Sequence, residues 1–110
     1  METTYNKGQL MRLDEIVYLS KSIVSQQLVK KITGNIQIHA FDTLVELNND
    51  VSAFDIFILL LEGIAIIKID NKEHLLVPQQ SFIVPAHSSY HIKAVERFKM
   101  LSFIIKSGYE

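Results

Sequence analysis

The chain has 110 residues, 48% of them hydrophobic and 21% charged, with a formal net charge of −1 and no cysteine. One domain of this length buries roughly 65% of its unfolded surface, so no staple is needed. The missing Cys excludes a disulfide framework, a thiolate nucleophile and a cysteine-based metal centre. The near-neutral charge leaves no basic footprint for phosphates, so neither nucleic acid nor anionic membrane is an expected partner.

The opening METTYNKGQLMRLDE lacks the charged-then-apolar pattern of a secretory leader, and the most apolar stretch, residues 54–61, is too short to cross a bilayer. A cytoplasmic protein is expected. Residues 1–21 are expected to form an arm packed on the main body. Their one helical possibility is LDEIVYLS, where Leu13, Ile16 and Val17 recur at helical spacing. Residues 22–110 change period. Ser22 to Ser25 and Gln27 to Val29 are rich in β-branched residues, and a turn at Gly34-Asn35 leads into NIQIHAF. Further strands are expected at residues 43–47, 56–61, 64–69, 73–77, 81–84, 90–95 and 98–106. Asp70-Asn71-Lys72 reads as a hairpin turn, Glu62-Gly63 as a chain reversal or bulge, and Pro78 and Pro85 bracket a strand. Short strands with almost no helix argue for an all-β antiparallel sandwich or small barrel.

In FDIFILLLEG, Ile56, Ile58 and Leu60 share one strand face, while Phe57, Leu59 and Leu61 share the other. Both faces are apolar. The second must be covered by a neighbouring sheet, the N-terminal arm or another subunit, and a homodimer is the expected assembly.

The stretch LLLEGIAIIKIDNKEHLLVPQQSFIVPAHSSYHIKA resembles the cupin family of small RmlC-like jelly-roll barrels. A strand runs into Leu-Glu-Gly, a hairpin turn sits at Ile-Asp-Asn-Lys, and a strand leads into Pro-Ala. The resemblance implies a small antiparallel jelly-roll barrel with a short N-terminal arm or helix. It also implies slots for a metal site, and those slots carry other residues here. With Gly63 as the glycine of the first motif, the glutamate slot is Ile56. The paired-histidine slots fall at Asn49 and Val51, or at Asp50 and Ser52. In the second motif Gln79 and His87 take glycine slots, Pro85 fits, and the histidine slot is Tyr90. A transition ion needs about four donors, typically imidazole with a carboxylate, so no metal and no cofactor is expected in the usual site.

Of the four histidines, His91 is expected to point outward if Tyr90 points inward, His74 to be solvated, and His39 to face out if Ile36, Ile38 and Ala40 pack inward. His87 occupies a turn position that favours the left-handed region. A non-standard metal site using His39, His87 or His91 stays open at this point. The pocket candidates are Tyr90, Asp50, Ile56, Ile58 and Ile92, with Tyr90 as a polar tip in an apolar barrel. Three functions compete. The first is a metal-free barrel binding or sensing a small molecule. The second is a cupin enzyme, either a metal-dependent oxygenase or isomerase or a metal-free epimerase-like one. The third is a ligand-free dimeric module whose barrel is filled by its own side chains.

Overall fold

The computed structural model describes residues 7–49 and 51–107. Seven strands follow one 3-10 turn at Leu13–Glu15: β1 (Ile23–Lys31), β2 (Gly34–Phe41), β3 (Glu46–Asn49), β4 (Ile56–Ile69), β5 (Lys72–Leu76), β6 (Ser81–Val84) and β7 (Tyr90–Ile105). All pairings are antiparallel.

Two long strands organise the barrel. β4 and β7 pair along their whole length. The first half of β4 and the last half of β7 are flanked by β6 and by β2, which carries β1. The other halves are flanked by β5 and β3. The two half-sheets meet at a bulge in β4 between Leu60 and Ala65, where the inward set changes from Ile56, Ile58 and Leu60 to Ala65, Ile67 and Ile69. That change from even to odd positions keeps the apolar side facing inward as the strand turns the corner. Gly63 makes the corner possible. Its φ is +87°, and a Cβ there would overlap the Arg97 carbonyl oxygen. The expected pairs 56–61 with 64–69, and 90–95 with 98–106, are therefore each one continuous strand, and Glu62-Gly63 is a bulge.

The expected turn at Gly34-Asn35 lies instead at Ile32-Thr33, and Gly34 opens β2. It is a glycine because a Cβ would stand 2.5 Å from the Ile104 carbonyl oxygen of β7. The hairpin at Asp70-Asn71 is as read: both residues have positive φ, 50° and 63°, the pattern of a type I′ turn. The strand expected from Thr43 begins at Glu46.

Two cores result. The inner one lies between the half-sheets, with Phe41 stacked on Phe98 at 4.4 Å between ring centroids. The second lies on the outer face of β1, β2, β7 and β4. There Ile38, Ala40 and Leu101 are buried under Ile16, with Leu13, Tyr18, Leu59 and Leu61 packed around them. The N-terminal arm is thus one cover for the second face of FDIFILLLEG. Tyr18 fastens it: its hydroxyl donates to Glu62 Oε2 at 2.7 Å, and the Arg97 guanidinium lies 4.6 Å from its ring centroid. Phe57 stays outside this cover. It meets Phe103 edge to face at 5.6 Å and, with Ile83 and Ile105, walls an open apolar groove of about 370 Å³.

Candidate functional site

The loop before β4 and the turn after β6 are drawn together by backbone groups. The His87 amide donates to the Ser52 carbonyl at 2.6 Å, and the Ala86 amide donates to Asp55 Oδ1 at 2.7 Å. The turns on either side of β6 share one form. The Gln80 amide bonds back to the Val77 carbonyl with Gln79 at φ 73°, and the Ser88 amide to the Pro85 carbonyl with His87 at φ 67°. Both turns need a left-handed third residue, where glycine is the usual choice. The glycine slots of the second motif are therefore retained as backbone geometry, with the glycines replaced.

These segments deliver Ile56 and Tyr90 to a cavity of about 200 Å³ between the half-sheets. Its walls are largely hydrocarbon: Ile23, Phe41, Leu47, Ile56, Ile58, Met100 and Ile104. Tyr90 lines it and is 8% exposed. Of the pocket candidates, Ile56, Ile58 and Tyr90 are brought together there. Ile92, 2% exposed, is packed in the inner core without lining the cavity. Asp50 lies outside the described residues. Ser52 hydroxyl is engaged by its own loop, accepting from the Phe54 amide at 3.0 Å, and Val51 is exposed.

The sequence reading missed the polar wall of this cavity. Ser25 on β1, Gln37 and His39 on β2, and Ser102 on β7 all line it. His39 Nδ1 is 2.7 Å from Ser25 Oγ, and Nε2 is 2.9 Å from Ser102 Oγ. In the neutral ring one nitrogen donates and the other accepts, so one serine accepts a hydrogen bond from the ring while the other donates one to it. Burial pushes the His39 pKa down to about 4, keeping the imidazole neutral at physiological pH. The expectation that His39 faces outward is corrected. Ile36, Ile38 and Ala40 do pack, but in the outer core under the arm, so the alternate residues face the cavity.

The other histidines stand apart. His91 pairs with Glu46, Nε2 to Oε1 at 2.9 Å, and His87 is exposed. His74, expected to be solvated, is half-buried against the ring of Phe82, 4.8 Å between centroids. Among the described residues no group of three or more His, Asp or Glu converges as a metal site would require.

No family model and no curated protein matches the chain. Solved structures do. A conserved protein of unknown function from Streptococcus pyogenes is 25% identical, superposes with a TM-score of 0.86, and is matched over 94% of this chain and 92% of its own. A cupin superfamily protein from Desulfitobacterium hafniense is likewise 25% identical, with a TM-score of 0.85 over 94% of this chain and 95% of that one. An RmlC-like cupin from Shewanella frigidimarina reaches a TM-score of 0.75 at 17% identity, over 86% of each chain.

Proposed function

We propose that this chain, a small all-β domain of cupin fold, is a metal-free binding or sensing protein for a small, mostly apolar molecule held in the barrel. The observation that carries the reading is the cavity itself, about 200 Å³ with hydrocarbon walls and one polar side. A cavity of about 150 Å³ walled by Leu, Ile and Phe is enough to hold benzene. The space argues against a barrel filled by its own side chains. The donor chemistry supports the absence of metal. The glutamate slot is a hydrocarbon, the second-motif histidine slot is a phenol, and the one imidazole on the wall has both nitrogens engaged by serines. That set does not match the imidazole and carboxylate ligands a transition ion takes. The groove at Phe57, Ile83, Phe103 and Ile105 supports a homodimer as the working form.

The test is native mass spectrometry of tag-free protein purified without chelators, compared with the denatured mass. The expected result is a dimer at apoprotein mass, or with one small organic adduct per chain. A mass excess of one transition-metal ion per chain would overturn the metal-free reading.

A further inference from the structure

The polar wall is an unusual expense in this core. Ser25 and Gln27 on β1, Gln37 and His39 on β2, and Ser102 on β7 lie on adjacent strands, with Gln27 opposite Gln37, Gln37 opposite Ser102, and Ser25 opposite His39. Ser102 is 6% exposed and Gln27 8%. Buried polar groups in a core are costly unless each finds a partner. Beside the serine–histidine chain, on the same strand face but outside the cavity lining, Gln27 Oε1 is buried with no hydrogen-bond partner among the described residues.

We infer that the Ser102–His39–Ser25 chain is the anchor of the barrel cavity, and that its ligand is a small uncharged molecule with an apolar body and one hydroxyl or amide head. Three properties of the wall select that class. Among the described residues lining the cavity there is no Asp, Glu, Lys or Arg, so a ligand charge would be buried without a counter-ion, which is strongly unfavourable. Next, Ser102 keeps hydrogen-bonding capacity toward the cavity in either arrangement of the chain. When His39 Nε2 donates to Ser102, the serine hydrogen is left over; when Nε2 accepts, the serine lone pairs are left over. One head group able both to donate and to accept meets both cases. Finally, the volume admits a body the size of one six-membered ring.

The inference rests on the binding reading above, and the experiment separates the two. Toluene, phenol, benzoate and benzylammonium are titrated into the protein at pH 7.5 while the amide resonances of Ile58, His39 and Ser102 are followed. Phenol is expected to bind at least tenfold tighter than toluene, its isostere without the hydroxyl, and both ions to bind more weakly than phenol. Ser102→Ala should bring phenol to the toluene level. Equal affinity for toluene and phenol overturns the anchor and leaves the apolar cavity standing as a binding site. So does a phenol preference that persists in Ser102→Ala. Tighter binding of either ion overturns the uncharged class. Failure of all four probes to perturb the cavity residues overturns both readings together.

Discussion

Lowering the pH asks His39 to accept a proton where hydrocarbon and two hydroxyls surround it. The unfolded chain's imidazole titrates near its ordinary 6.5, and the folded one near 4. Between those values the unfolded state holds more protons, so stability is full above about pH 6.5, declines as pH falls, and levels off below about pH 4. Up to about 3 kcal/mol is lost across that window. Urea denaturation at half-unit pH steps checks this, and His39→Gln is expected to flatten the slope between pH 4 and 6.5. A slope unchanged by the substitution would place the titrating group elsewhere. Asp42 adds a separate loss at lower pH, because bonds from the Lys21 and Thr43 amides and from Arg97 hold its carboxyl below the ordinary range. His39 also marks where sequence stops short. The alternation of NIQIHAF places His39 opposite Ile38 and Ala40, and that much is correct. Which side faced the barrel was not legible, because an arm far away in sequence makes the outer face as dry as the inner one.

At the level of elements, strand identity was legible from β-branched runs, while strand length was not. A short apolar run ending in Glu-Gly reads as a strand followed by a reversal. Only the partner strand shows that Gly63 bends β4 instead of ending it. Gly63→Ala is expected to cost at least about 2 kcal/mol, since it places a Cβ against the Arg97 carbonyl at a positive φ. The opposite holds at the two turns where the glycines are missing. Gln79→Gly and His87→Gly relieve left-handed strain of about 1–2 kcal/mol each, partly offset by the entropy glycine adds to the unfolded chain. Each should be neutral or stabilising by up to about 1 kcal/mol in thermal or urea unfolding. A clear destabilisation would mean that the Gln79 or His87 side chain makes a contact worth more than the backbone strain.

For the molecule as a whole, the groove at Phe57, Ile83, Phe103 and Ile105 is an apolar surface that the arm leaves open. Ile83 is 59% exposed, so a charge there is accommodated in the isolated chain. For the dimer proposed at this groove, Ile83→Glu is expected to halve the native mass and keep the circular dichroism of the sheet. A dimer that survives the substitution would move the interface to another face. The barrel and its two motif segments could be anticipated from turns and strand spacing, because those signals are local. The anchor of Ser25, His39 and Ser102 could not, because it forms only where β1, β2 and β7 align.

Among the described residues β7 is the last of the seven strands, and it pairs with β2, β3 and β4, joining both half-sheets. Neither half can close without it. Until it joins, Ile56 to Leu60 lack the partner strand that both half-sheets share, and their apolar side chains stay uncovered. Pairings so distant in sequence also make folding slow relative to a helical protein of this size. The interval before β7 docks is therefore the most aggregation-prone one in folding, and a chain cut before Tyr90 would yield a sticky fragment rather than a smaller barrel.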